Sequence, residues 1–198
     1  MINNTLCWNG HIDKTVPRLS QACYIITAVK LFLSQDVRQM IYCAYFNSVM
    51  TCGLLFCGDS SHSIEIFRLH KKIIRIMMRA RIKDSCREFL KIFSILLLTP
   101  QYIYSITVFV VNNRQYFMEN SKLYDIEIRK NKNLFQPQSN LSVYQRGPLH
   151  AGIKIYNNLP DQIKLLSSNI NQFKIALKEF LQLHSFYSLA EYLNYNRD

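Results

Sequence analysis

The hydrophobic and polar positions of this 198-residue chain repeat at helical rather than strand spacing along most of its length. From Leu19 onward, apolar residues recur three and four positions apart, which places their side chains on one face of an α-helix. Five glycines and five prolines interrupt the pattern only rarely. The pattern therefore predicts a mainly α fold, with a helical bundle, a polar connector with possible short strands, and a C-terminal helical segment.

Interruptions of the pattern divide the chain into four parts. The polar connector contains three segments, 124–129, 134–137 and 141–144, that predict short strands. The four parts are residues 1–16, an irregular junction; 17–112, a compact helical bundle with short connections; 113–147, a polar and basic connector; and 148–198, a C-terminal helical extension.

Three residues predict helix boundaries inside the bundle. Pro17 suits the first turn of a helix, where its missing N–H is not needed. Ser34 is a good N-cap for a second helix that is apolar on nearly all sides, so we expect that helix to lie at the centre of the bundle. Pro100 predicts a break between the last two helices of the bundle, because continuing a helix through proline is costly.

A helix predicted over residues 63–82 is amphipathic and strongly basic. Nine of the 24 Lys and Arg residues lie between Arg68 and Lys91, and the net charge of the chain is +11. Concentrated positive charge is typical of proteins that bind nucleic acid or an anionic membrane surface, although a solvated helix face has the same pattern. The basic face consists of Arg68, Lys71, Lys72, Arg75 and Arg79, the opposite apolar face of Ile66, Leu69, Ile73, Ile76 and Met77, and Lys83 and Arg87 continue the charge beyond the helix.

The six cysteines contain no C-x-x-C pair, and most of them lie inside apolar helical patterns. This usage predicts reduced thiols in an intracellular protein, cytoplasmic or nuclear, rather than a secreted one. Residues 1–20 carry polar and charged residues throughout, unlike a signal peptide. The set Cys52, Cys57, His62 and His70 fits no common structural zinc spacing, so the sequence predicts no metal site and no cofactor.

Two uncharged windows, 40–58 and 92–112, have the length of a transmembrane helix. Polar residues such as Asn47 interrupt the first window, and Pro100 lies near the middle of the second. We therefore favour buried helices over membrane spans. The alternative is a small two-span membrane protein with the basic helix on the cytoplasmic side.

The order of several segments resembles the reverse transcriptases of non-LTR retrotransposons, most closely the jockey-like, LINE-type elements of insects. No single segment is diagnostic, and the resemblance rests on their order over almost the whole chain. The segments are Leu6-Cys-Trp8 with His11-Ile12, Leu19-Ser-Gln-Ala22, Tyr42-Cys-Ala-Tyr-Phe-Asn-Ser48, Gly58-Asp-Ser-Ser61, Ile66-Phe-Arg-Leu69 with Lys71 and Ile74-Arg-Ile76, Asp84-Ser-Cys-Arg87, Ile95-Leu-Leu-Leu-Thr99, Tyr102-Ile-Tyr104, Gly152-Ile-Lys-Ile-Tyr-Asn-Asn-Leu-Pro160, and Phe173-Lys174 with Phe186-Tyr-Ser188.

The resemblance implies that residues 17–87 form the thumb of an RNA-directed DNA polymerase and that the rest is its post-thumb extension. It also implies that the chain binds the backbone of an RNA–DNA hybrid or duplex without recognising its sequence. A further partner would be the palm and fingers of a parent polymerase, which this chain does not contain. The nucleic-acid-binding residues would be Arg68, Lys71, Lys72, Arg75, Arg79, Lys83 and Arg87.

The chain lacks the Tyr-x-Asp-Asp motif that holds the metal-binding carboxylates of the family's palm. Of its 13 acidic residues, only Asp125 and Glu127 stand two apart, and they lie in the polar connector. Phosphoryl transfer with Mg²⁺ needs carboxylates fixed side by side on a rigid scaffold. We therefore predict no catalytic residues and no enzymatic activity for this chain. Besides the membrane alternative, a host-captured helical interaction module is a further possibility.

Overall fold

The computed structural model describes residues 8–60, 62–120, 133–145 and 147–195. Over these ranges the protein is mainly helical, which confirms the predicted fold class. A π-helix, Tyr42–Asn47, joins α2 to α3, and short 3-10 turns occur at Arg114–Tyr116 and Leu166–Ser168. The α-helices are α1 Asn9–Val29, α2 Gln35–Ile41, α3 Ser48–Thr51, α4 Leu54–Cys57, α5 Ser63–Met78, α6 Cys86–Phe93, α7 Leu98–Asn112, α8 Ser142–Gln145, α9 Pro148–Asn157, α10 Asp161–Leu165, α11 Ile170–His184 and α12 Leu189–Asn194.

The chain forms two compact units, and the boundaries between them fall inside α7 and α11. Unit 1 comprises Met1–Tyr102 and Leu181–Tyr187, and unit 2 comprises Ile103–Phe180 and Ser188–Asp198. This division differs from the sequence interpretation, which places the end of the first bundle at residue 112.

The second half of α7 belongs to unit 2 because its side chains pack closely against α9. A Cβ added at Gly152 of α9 would lie 2.7 Å from Cγ2 of Val110 and 3.6 Å from Cγ1 of Ile106. Such a close approach is possible only where one helix presents no side chain. Glycine at position 152 therefore allows α9 to pack closely against the second half of α7.

Helix α1 begins well before the predicted position. The prediction of an irregular segment over residues 1–16 is wrong from Asn9 onward, and residues 1–7 lie outside the described part of the chain. Pro17 lies inside the helix, where the loss of one backbone hydrogen bond costs roughly 3 kcal/mol. A continuous buried stripe that starts at Ile12 and continues through Thr15 and Leu19 offsets this cost.

The predicted helix after Ser34 is present as α2, the π-helix and α3. The Ser34 side chain caps it by accepting the Val37 N–H at 3.4 Å. Gly53 follows its last turn in the left-handed region, at φ 76°. The expectation that this helix is buried on nearly all sides is wrong, because Met40 and Cys43 are exposed. Its buried residues occupy one face, as in an ordinary surface helix.

Pro100 does not separate two helices as predicted. Helix α6 ends earlier, at Phe93, where Ser94 adopts the left-handed conformation with φ 52°. Helix α7 begins at Leu98 and includes Pro100 in its first turn. The first turn of a helix leaves its N–H groups without intrahelical partners, so proline is tolerated there.

Unit 1 is built around the packing of α1 against α5, with α2, the π-helix, α3 and α6 around this pair. Cys23 of α1 lies against the α5 backbone, with its Sγ 3.8 Å from the Leu69 carbonyl oxygen. Cys86 at the start of α6 makes a similar contact with the Lys71 carbonyl oxygen at 3.7 Å. Two cysteines thus act as small apolar side chains at helix contacts.

The connector contains one short antiparallel pairing in the described residues. An isolated bridge joins Glu119 to Leu134, so the predicted strand at 134–137 is reduced to a single bridge. The predicted strand at 141–144 is wrong, because the chain turns there into α8. The N–H groups of Tyr144 and Gln145 both donate to the Leu141 carbonyl, which closes a helical turn. The predicted strand at 124–129 lies outside the described residues.

Side-chain amides and one buried amine hold unit 2 together. The side-chain amide of Asn157 pairs with the backbone of Leu134. Its Oδ1 accepts the Leu134 N–H at 2.8 Å, and its Nδ2 donates to the Leu134 carbonyl at 2.9 Å. The buried Nζ of Lys164 donates to the Asn157 carbonyl, to Asn133 Oδ1 and to Asp161 Oδ1. These bonds supply partners for a charge that would be costly to bury alone.

No single helix in the described residues is long and apolar enough to span a membrane. Only α6 and α7 together, bent by 47° at their junction, meet a test of length and composition.

Candidate nucleic-acid interface

Helix α5 presents its basic face away from the packed interior of unit 1. The centre of its buried face is diametrically opposite the cations, as the sequence predicts. The predicted apolar residues Ile66, Ile73 and Met77 are buried, but Leu69 and Ile76 are only half-buried. The remaining buried positions are His70 and Ile74, which the sequence interpretation does not include.

The five predicted cations of the basic face are not equivalent in the structure. Arg68 and Lys72 are exposed, whereas Lys71 and Arg75 are half-buried. Helix α5 ends at Met78, and Arg79 follows it in the left-handed region at φ 53°. Lys83 lies in the following turn and Arg87 in the first turn of α6, and both are exposed.

Two of these arginines bind neighbouring backbone carbonyls. The Nε of Arg75 donates to the Asp84 carbonyl at 3.0 Å, and Nη2 of Arg79 donates to the Lys30 carbonyl at 2.8 Å. Both bonds hold turns at the C-terminal end of α5. A guanidinium has five N–H donors, so each arginine retains donors for a phosphate. Their side-chain directions are fixed by the fold, unlike those of a freely solvated lysine.

An aromatic cluster supports the other end of the basic surface, and sequence spacing gives no sign of it. The Tyr187 ring packs edge-on against Phe67, with ring centroids 5.8 Å apart. Lys71 Nζ lies 5.0 Å from the Tyr187 ring centroid, and the Arg87 guanidinium carbon lies 4.7 Å from it. Two cations of the predicted site are thus held on one ring by cation–π attraction.

A buried aromatic cluster anchors α5 from its opposite face. The Tyr42 hydroxyl and Nε2 of His70 are 2.8 Å apart, the Tyr42 ring stacks on the His70 ring, and the Phe46 ring packs against it at a tilt of 42°. Tyr42 and Phe46 are four residues apart in the π-helix. Complete burial lowers the pKa of His70 to about 3, so its imidazole is neutral at physiological pH. This histidine is a packing residue rather than a general base.

The buried thiols are not activated as nucleophiles or metal ligands. Burial raises the pKa of Cys23 and of Cys57 to about 11, so both remain protonated. Over the described ranges, no group of three or more His, Cys, Asp or Glu side chains is arranged to hold a metal ion. The Cys52 carbonyl instead lies 2.9 Å from Nε2 of His11.

Comparisons with known proteins give no family for this chain: no family model matches it, and neither the curated proteins nor the solved structures gave a match.

Proposed function

We propose that this chain binds the sugar–phosphate backbone of an RNA–DNA hybrid or duplex without reading its sequence. The binding surface is the basic face of α5, extended by Lys83 and Arg87. The observation that carries the proposal is the position of Arg68 and Lys72, which are exposed on the side of α5 opposite its buried stripe. Cations on one helix face can neutralise several phosphates of a nucleic-acid backbone.

Backbone binding is favoured over base reading by the types of side chain involved. Lys and Arg contacts to phosphates position a protein on a nucleic acid but carry no sequence information. Lys71 and Arg87 are held on the Tyr187 ring, so part of their conformational freedom is already lost before a polyanion binds. Pre-organisation of this kind lowers the entropic cost of binding.

The parent protein we propose is a LINE-type reverse transcriptase, of which this chain would be the thumb and post-thumb part. The support is the ordered set of segments that resembles that family, and the helical character of the region between Asn9 and Asn112 is compatible with it. In this proposal the absent palm and fingers carry the polymerase carboxylates. The chain itself has no enzymatic activity, and its partner is the nucleic-acid backbone.

A binding experiment with two sequence-unrelated RNA–DNA hybrids tests the proposal. Fluorescence anisotropy at low salt is expected to give the same dissociation constant for both hybrids. The variant Arg68→Glu/Lys72→Glu is expected to bind at least about tenfold more weakly, because it replaces two phosphate contacts by repulsion. Arg75 is left intact because its bond to the Asp84 carbonyl holds a turn.

The matched control is Lys154→Glu/Lys178→Glu, which makes the same change of net charge at exposed positions on α9 and α11. Equal weakening by the control, or a strong preference for one of the two hybrids, would contradict the proposal. Absence of binding at low salt would contradict it outright.

A further inference from the structure

Two turns of unit 1 lie side by side, and a direct hydrogen bond joins them. One is the α1–α2 turn, residues 30–34, and the other is the α5–α6 turn, residues 79–85. Nη2 of Arg79 donates to the Lys30 carbonyl at 2.8 Å. We name these two turns together the double turn. The two bonded residues are 49 positions apart in sequence, so the bond brings distant parts of the chain together.

The double turn exposes large apolar side chains to solvent. Leu31 is 70% exposed, Phe32 is 86% exposed and Ile82 is 88% exposed. Single exposed apolar residues are normal, but three such large side chains on two hydrogen-bonded turns are unusual. Two of the three, Leu31 and Ile82, are aliphatic, and aliphatic side chains gain from transfer into hydrocarbon.

Positive charge surrounds these apolar side chains. Arg79, Arg81 and Lys83 are exposed on the second turn, and Lys30 is half-buried on the first. Two carboxylates are also present. Asp84 accepts the backbone N–H of Arg81 at 2.8 Å, and Asp36 is exposed in the first turn of α2. Cations predominate over these acids, so the surface matches an anionic partner.

A buried arginine beneath the double turn has donor capacity that the protein does not use. Arg38 is only 6% exposed, and its Nε donates to the Ser34 carbonyl at 3.3 Å. Its Nη1 has no hydrogen-bond partner among the described residues. Burial and the nearby positive charge of Arg79 both lower the pKa of Arg38. The guanidinium group of Arg79, on the second turn, and that of Arg38, in α2 with an unused buried N–H, suit an anion of high charge such as a phosphate.

We propose that the double turn docks onto an anionic phospholipid surface. Leu31, Phe32 and Ile82 enter the boundary between headgroups and acyl chains. Arg38 and Arg79 hold a headgroup phosphate, which reaches the covered Nη1 of Arg38 after a local movement of side chains. Apolar insertion combined with basic residues gives reversible attachment to anionic membranes.

A nucleic acid fits the double turn less well than a lipid. Bases stack on aromatic rings, and only Phe32 could provide such a platform. Leu31 and Ile82 gain little from bases but gain from transfer into hydrocarbon. The lipid surface accounts for the aliphatic side chains and the phosphate site together. It leaves Arg68, Lys71, Lys72 and Arg75 for the nucleic-acid function proposed above, whereas Arg79 and Lys83 belong to both surfaces.

Flotation with phospholipid vesicles tests this proposal on the full chain. Vesicles of phosphatidylcholine alone are compared with vesicles that contain about 30% phosphatidylserine, the anionic probe lipid. We expect the chain to bind to the anionic vesicles only, and salt to weaken this binding.

The variant Phe32→Ser/Ile82→Ser is expected to bind these vesicles at least about tenfold more weakly, because the apolar area that would insert is lost. Arg38→Met is expected to weaken binding about fivefold, the contribution of one cation near such a surface.

The matched control is Ile175→Ser/Leu183→Ser, which removes similarly exposed apolar side chains from α11 and should bind like the wild type. Equal binding to neutral vesicles, no vesicle binding, or no loss in Phe32→Ser/Ile82→Ser would overturn the proposal. The same variant must retain hybrid binding, and loss of that binding would assign the double turn to the nucleic-acid interface instead. Self-association of the wild type that the variant abolishes would assign it to a second copy of the chain.

Discussion

At the scale of single residues, His70 shows how burial determines what a side chain can do. Its sequence neighbours are Leu69 and Lys71, so its spacing alone fits either an interior or a surface position. In the fold it is completely buried, and its Nε2 lies 2.8 Å from the Tyr42 hydroxyl. A neutral, stacked imidazole stabilises α5 against the π-helix, whereas a charged one could not be buried there without a counter-ion.

The first prediction concerns the pH dependence of stability. The pKa of His70 is about 3 in the folded chain, compared with an ordinary value of 6.5. Between these values the unfolded state binds more protons, so the free energy of unfolding falls as pH drops below about 6.5. The loss approaches roughly 1.4 kcal/mol per pH unit.

Urea unfolding of the wild type and of His70→Gln at pH 7.5 and pH 5 measures this effect. The amide of glutamine still bonds the Tyr42 hydroxyl but does not titrate, so the variant should lose less stability than the wild type over this interval. The same substitution at the exposed His62 is the control. A variant whose pH dependence equals that of the wild type would show that His70 is not the group responsible.

At the scale of elements, helix ends explain where the sequence interpretation succeeds and where it fails. The Ser34 cap and the amphipathic pattern of α5 are local signals, and both are confirmed. Pro17 and Pro100 are also local signals, but tertiary packing and helix position override them. The contacts of Tyr187 with Lys71 and Arg87 join positions about a hundred residues apart, so no local pattern contains them.

The second prediction uses two residues at helix ends that share a left-handed backbone. Ser94 has φ 52° after α6, and Gly53 has φ 76° before α4. Ser94→Gly should raise the free energy of unfolding by about 1 kcal/mol, because glycine adopts this conformation without the Cβ penalty. Gly53→Ala should lower it by about 1–2 kcal/mol for the same reason.

Thermal unfolding of Ser94→Gly, Gly53→Ala and the wild type tests whether the first substitution stabilises the fold and the second destabilises it. At Gly53 the new Cβ would also lie 3.0 Å from Nε2 of His11, which adds to the destabilisation. A melting temperature below that of the wild type for Ser94→Gly, and above it for Gly53→Ala, would mean that these positions do not retain their left-handed conformations.

At the scale of the whole molecule, the positive charge is concentrated in one part of the chain, and the sequence contains no Tyr-x-Asp-Asp motif. The net charge is +11, and nine cations fall between Arg68 and Lys91. The sequence predicts this surface and the helical class of the fold. It does not predict the division into two units, because that depends on tertiary packing such as the fit of Gly152 against Val110. Nor does it predict the double turn, which depends on one bond between Arg79 and Lys30.

The central claim is that the basic face of α5 binds the sugar–phosphate backbone. The salt dependence of binding to an RNA–DNA hybrid tests this claim most directly. Each phosphate neutralised contributes about −0.9 to the slope of log K against log salt on duplex DNA. The five cations from Arg68 to Arg79 predict a slope of roughly −4 to −5, and contacts by Lys83 and Arg87 would make it steeper, to about −6. The neutral variant Arg68→Gln/Lys72→Gln should be shallower by about 2. The control Lys154→Gln/Lys178→Gln should keep the wild-type slope. A variant slope equal to that of the wild type, or a control that changes as much as the variant, would contradict the account.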